Sequence, residues 1–121
     1  MAIRVLIADD ASMTRAIIKS ALSSEDFEIV GEAKNGQEAI DMYKELKPDV
    51  VTMDITMREK NGIEALEEIK KEFPDAKIIM VSAMGNDEYV KKAIELGADE
   101  FIVKPFSKDK IAETVKKVAN S

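Results

Sequence analysis

Ile3-Arg4-Val5-Leu6-Ile7-Ala8-Asp9-Asp10 opens the chain with a near-continuous apolar run that stops abruptly on two carboxylates. The run is too short for a typical helix and rich in Ile and Val, so Ile3–Ala8 is predicted as a strand. Its lack of polar alternation suits a strand buried on both faces, as in a parallel sheet. Further short apolar runs follow at Phe27–Val30, Val50–Met53, Ile78–Val81 and Phe101–Val103. Glu28 interrupts the second, which marks it as an edge strand.

Between these runs the spacing is helical. Ile17, Ala21 and Leu22 share a face, as do Ala39, Ile40, Tyr43 and Leu46. Leu66 pairs with Ile69, Val90 with Ala93 and Ile94, and Ile111 with Val115 and Val118. Pro48 and Pro74 follow the second and third helices, Gly97 suits a helix C-terminus, and Ser107 suits an N-cap. Strand and helix alternate without repeat or linker, which predicts one α/β domain over 1–121. Its architecture is a doubly wound, five-stranded parallel sheet with helices on both faces. In such sheets the ligand site lies outside the carboxyl ends of the strands.

Those ends carry a distinctive set. Asp9 and Asp10 follow the first strand, Asp54 ends the third, Ser82 follows the fourth and Lys104 the fifth. Each alone reads as a turn, cap or solvated surface residue. Together, three carboxylates repel unless a cation sits among them. With Lys104 nearby two negative charges remain, which one Mg²⁺ would neutralise. A carboxylate beside Mg²⁺ and a lysine is placed to attack a phosphoryl group, with Asp54, on the central strand, as the nucleophile.

Composition narrows the field. The 121 residues include no Cys and no His, which excludes disulfides, Cys-type zinc sites, cysteine nucleophiles and a histidine phosphodonor within this chain. Any metal must bind through oxygen, favouring hard cations. Eighteen basic and 24 acidic residues give a net charge of −6, unsuited to nucleic acid or anionic membranes. No apolar run reaches membrane length and no signal-peptide pattern opens the chain, so the expectation is a cytoplasmic protein.

Asp9-Asp10, Asp54 with Met57 and Gly62, Ser82-Ala83 and Lys104-Pro105-Phe106 together resemble the receiver domain of two-component response regulators, most closely the stand-alone chemotaxis (CheY) type. The resemblance covers the whole chain. It implies a flavodoxin-like sheet of order 2-1-3-4-5 and phosphorylation of Asp54 by a histidine kinase of the CheA type. It implies Mg²⁺, with Mn²⁺ as a substitute, held by Asp10, Asp54 and the backbone carbonyl of Thr56, with Asp9 acting through water. Lys104 would contact the phosphoryl group and precede a cis-proline. Ser82 would move toward the phosphate and Phe101 inward. The altered face would be that of the fourth helix, fifth strand and fifth helix, with Tyr89, Val90, Lys92, Phe101 and Val103 as contacts. For Val90 and Val103, core packing is the competing reading.

Three departures from the family pattern stand out. Arg58 replaces the usual proline, Phe101 the frequent tyrosine, and Thr56 and Met84 stand where some relatives carry Asn and an acidic residue. The loop around Arg58 is expected to be a solvated charged loop, mobile without the proline. Apolar Met84 is expected to lengthen the phosphoryl lifetime, since it cannot orient water. No effector segment follows the last helix, so output is expected through surface contacts of a monomer with a flagellar switch protein or an archaeal motor adaptor. A phosphorelay intermediate and a phosphorylation-independent docking module are the alternatives. A flavin binder is disfavoured by Asp9-Asp10, and a phosphatase by the lack of a second acid at Thr56 and of room for a cap.

Overall fold

A computed structural model describes residues 2–83 and 87–121. The elements are β1 (Ile3–Ala8), α1 (Ser12–Ala21), β2 (Phe27–Ala33), α2 (Gly36–Leu46), β3 (Val50–Asp54), α3 (Gly62–Glu72), β4 (Ile78–Ala83), α4 (Asp87–Glu95), β5 (Glu100–Lys104) and α5 (Lys108–Ala119). The five strands form one parallel sheet of order β2-β1-β3-β4-β5. β1 lies between β2 and β3, so strand order reverses there and a crevice opens beyond the ends of β1 and β3.

Alternation along the strands splits the apolar residues into two cores. Leu6, Val51, Met53, Ile78 and Met80 pack beneath Ala39, Ile40 and Tyr43 of α2, Leu66 and Ile69 of α3, and Ala93 of α4. Val5, Ile7, Val50, Ile79, Val81 and Ile102 pack beneath Ile18 of α1 and Ile111, Val115 and Val118 of α5. Each inner strand is buried on both faces, which is why its sequence reads as unbroken hydrophobicity.

The helices stop and start as their termini dictate. Asn35 caps α2 by accepting from the Glu38 amide, and Ser107 caps α5 by accepting from Lys110. Asn61 and Glu64 form a reciprocal capping box at α3. Lys47 closes α2 in the left-handed region at φ 44°, directly before Pro48. Gly97, at φ 94°, follows α4, where a Cβ would be strained.

Several expectations need correction. β2 does not end at Val30 but runs to Ala33. A bulge pairs Val5 with Ile29 but the next residue, Leu6, with Gly31. Val30 is the extra residue, so alternation is broken and the stretch reads as a turn. Ser82 lies within β4 rather than after it, and Lys104 is the last residue of β5. Ile17 is 40% exposed and Ile94 64%; of the predicted α1 face, Leu22 is buried and Ala21 packs against the core, while Arg15 and Ile18 take the buried place expected of Ile17. Val103 is 45% exposed, which removes the core-packing reading for it. Val90 is half-buried.

Candidate active site

Two strand ends set the centre of the site. Ala8 pairs with Met53 across β1 and β3, so the residues that follow, Asp9 and Asp54, emerge side by side. Both are buried, at 1% and 6% exposure, whereas Asp10 faces solvent. Carboxylate oxygens of Asp9, Asp10 and Asp54 all lie within 4.8 Å of one another. β5 supplies the counter-charge. Lys104 Nζ stands 3.1 Å from Asp9 Oδ2 and 3.4 Å from Asp54 Oδ1. The peptide from Lys104 to Pro105 is cis.

Asp9 is tied at every polar atom. Its amide donates to the Ala33 carbonyl at 3.0 Å. Its own carbonyl accepts from Arg15 Nη1 at 2.6 Å, and its Oδ1 accepts from the Ala11 amide at 2.8 Å. Lys104 takes the remaining oxygen.

Asp54 is less comfortable. Burial pushes its carboxyl up to about 6, the Asp9 charge adds to this, Lys104 pulls the other way and Asp10 raises it slightly. A buried carboxylate next to two others, with a single ammonium for compensation, is short of positive charge. The donors offered are all carboxylate oxygens, the set that suits a hard divalent cation. On that chemistry the residues fit Mg²⁺.

The loop after Asp54 folds back over it. The Gly62 amide donates to the Ile55 carbonyl at 2.7 Å, and the Gly36 amide to the Lys60 carbonyl at 2.8 Å. Lys60 pairs with Glu68 of α3, and the capping box holds Asn61. The loop that lacks the family proline at Arg58 is therefore anchored at both ends by hydrogen bonds. Thr56 and Arg58 are exposed on it, and Glu59 adopts φ 62°.

Ser82 is buried, and among the described residues its hydroxyl donates a long 3.4 Å bond to the carbonyl of its neighbour Ala83. Register pairs Ser82 with Val103 and Met80 with Phe101, so these four share the sheet face covered by α3 and α4. Asp9, Asp54 and Lys104 belong to the other face. Phe101 is half-buried against the α3–α4 core. Tyr89 and Lys92 of α4 are exposed. Met84 lies outside the described residues.

Arg15 and Glu32 escape the sequence reading. The legible signal for Arg15 is its spacing: Arg15, Ile18 and Leu22 fall at i, i+3 and i+7, which puts a basic residue on the apolar stripe of α1. Glu32 gave no signal, because the bulge alone brings it to that side.

Residues 5–116 match the response regulator receiver domain family. The chain is 53% identical to the chemotaxis protein CheY of Thermotoga maritima, over 96% of this chain and 97% of that protein. It is 52% identical to CheY of Bacillus subtilis, over 99% and 100%. Among solved structures, the CheX–CheY–BeF₃–Mg²⁺ complex from Borrelia burgdorferi superposes with a TM-score of 0.91 at 38% identity, covering 96% of this chain and 88% of that one. With the 2-1-3-4-5 sheet and its acidic crevice, these matches establish that the chain belongs to the response regulator receiver family of two-component signalling, and that it is CheY-like.

Proposed function

We propose that the protein is a phosphorylation-operated switch in chemotaxis, with Asp54 as phosphoacceptor and a phosphohistidine of a CheA-type kinase as donor. The observation that carries this reading is the contact of one ammonium, Lys104, with two buried carboxylates, Asp9 and Asp54, beside a third at Asp10.

Asp54 supplies the nucleophile. A carboxylate oxygen attacks phosphorus, the P–N bond of the donor breaks, and its electron pair returns to the imidazole nitrogen, giving an aspartyl phosphate. Lys104 is within reach of Asp54 and donates to a phosphoryl oxygen as charge builds there. Asp10, Asp54 and the Thr56 backbone carbonyl would hold Mg²⁺, with Mn²⁺ as a substitute and Asp9 helping through water, while Asp9 also orients Lys104. When bound, Mg²⁺ neutralises the clustered carboxylates and the transferring phosphoryl oxygens.

Output follows from the face that Ser82 and Phe101 share. The Ser82 hydroxyl, whose bond to the Ala83 carbonyl is long, turns to the phosphoryl group, and Phe101, already half-buried, moves into the space released. The surface made by α4, β5 and α5 then changes where Tyr89, Lys92 and Val103 are exposed. A flagellar switch protein or an archaeal motor adaptor reads it, in the cytoplasm. The fold itself contains no helix long and apolar enough to cross a membrane among the described residues.

The test is incubation with acetyl phosphate, with and without Mg²⁺, followed by intact mass under conditions that preserve acyl phosphates. A phosphoryl-sized gain that requires Mg²⁺ and is lost in Asp54→Ala is expected. No gain in the wild type would overturn the reading and leave a docking module.

A further inference from the structure

Arg15 is a buried cation that the phosphoryl chemistry above does not use. It sits on the sheet-facing side of α1, at 8% exposure. Its guanidinium forms a bridge. Nη1 donates to the main-chain carbonyl of Asp9 at 2.6 Å, and Nε donates to Glu32 Oε1 at 3.0 Å. Lys19, one turn along α1, holds the other oxygen of Glu32 at 3.0 Å. Glu32 belongs to the edge strand β2, and only the bulge at Val30 turns it toward α1. Lys19 and then Arg15 hold its carboxyl below the usual range, so it remains an anion across neutral pH.

The bridge spans three elements. It ties β2 and α1 to the peptide that links Asp9 and Asp10, because the Asp9 carbonyl belongs to that peptide. The carbonyl's orientation sets the plane from which the exposed Asp10 departs. α1 has no side-chain cap at Ala11, and Asp9 Oδ1 holds the Ala11 amide at 2.8 Å on one side of the turn. Arg15 supplies the constraint from the other side of the turn.

We propose that Arg15 is a positioning residue for the cation site: by clamping the Asp9 carbonyl to Glu32 it preorganises the turn that presents Asp9 and Asp10 to Mg²⁺. The inference rests on the reading of the acidic crevice as a Mg²⁺ site. Outer residues that orient ligands typically contribute ~10–100-fold to metal affinity. The planar fork of arginine is needed because it serves two acceptors at once, which a lysine ammonium on a shorter reach cannot do in the same geometry.

The test is titration of ¹⁵N-labelled protein with MgCl₂, following amide shifts around Asp9, Asp10 and Asp54, for wild type, Arg15→Met, Arg15→Lys and Glu32→Gln. Thermal unfolding without metal is measured alongside. Thr114→Val, a buried change on α5 away from the crevice, serves as the control for lost stability alone. The expected result is a Mg²⁺ dissociation constant raised ~10-fold in Arg15→Met. Arg15→Lys should recover it only in part and Glu32→Gln should raise it by a smaller factor, with no change in the control. Unchanged affinity in folded Arg15→Met would overturn the proposal. Should that variant fail to fold, unchanged affinity in Glu32→Gln would overturn it instead. A wild type that binds no Mg²⁺ would overturn the cation-site reading itself, which separates the two failures.

Discussion

Gly62 lies so close to Asp54 that a Cβ at position 62 would overlap the Asp54 carbonyl oxygen. The contact joins the first residue of α3 to the backbone of the proposed phosphoacceptor, and the Gly62 amide reinforces it through the Ile55 carbonyl. The neighbouring atoms are main chain, so they cannot swing aside as a side chain would. Gly62→Ala is therefore expected to destabilise the fold by about 3 kcal/mol or more, as overpacking against backbone does at its upper end. Gly31→Ala should cost much less, since its new methyl would meet side-chain methyls of Leu46 and Leu6, at 3.0 and 3.3 Å, and no main chain. Urea unfolding of the two variants checks the contrast; equal losses would refute it.

The position of Asp54 makes stability depend on pH. Its carboxyl titrates at about 6 in the metal-free fold and near its ordinary value of 3.8 when unfolded. A folded value above the unfolded one favours the fold in acid. The contribution is complete below pH 3.8 and is lost as pH rises through about 6. Removing the charge should thus stabilise the metal-free protein at pH 7.5, on the order of 2–3 kcal/mol for Asp54→Asn. The gain should shrink toward zero at pH 4, and Mg²⁺ should raise the melting temperature of the wild type far more than that of the variant. Melting curves in EDTA and in MgCl₂ at both pH values test this. An Asn variant less stable than wild type at pH 7.5 would contradict it.

Lys104 occupies the crevice as an internal cation, touching Asp9 and Asp54. In the proposed reaction it would compete with an added metal for the same oxygens and also serve the phosphoryl group. Lys104→Ala should therefore tighten Mg²⁺ binding while slowing labelling by acetyl phosphate about 100-fold. In the metal-free state the Asp54 carboxyl should rise further, because the ammonium that lowers it is gone. Carboxyl-carbon NMR and Mg²⁺ titration read the two effects. Weaker Mg²⁺ binding in the variant would contradict the competition.

Glu59 stands at φ 62° in the loop between Asp54 and α3, a conformation that costs a non-glycine residue ~1 kcal/mol or more. Glu59→Gly should relieve it and raise stability by roughly 0.5–1 kcal/mol, the gain being trimmed by glycine's freedom in the unfolded chain. Thermal unfolding measures this. A loss of stability would mean that the Glu59 side chain contributes more than its backbone costs.

The chain's own order of residues determined the alternation of β and α, the burial of the inner strands on both faces, and the strand ends as the place to look. It did so because each strand is short and apolar and each helix carries its stripe at 3.6-residue spacing, both of which are local properties. The proximity of Asp9, Asp54 and Lys104 followed once the sheet was assumed parallel. What remained was decided by the tertiary structure. The bulge at Val30 depends on pairing between β1 and β2, and no local pattern announces it. Without it Glu32 would not meet Arg15. The exposure of Ile17 and the burial of Arg15 depend on how α1 rotates against the sheet, which near-equal apolar spacing leaves open. The anchoring of the loop at Arg58 depends on Gly36 and Gly62, which bring α2 and α3 against it without a proline. Those contacts join residues far apart in sequence, so their energies appear only when the chain has closed on itself.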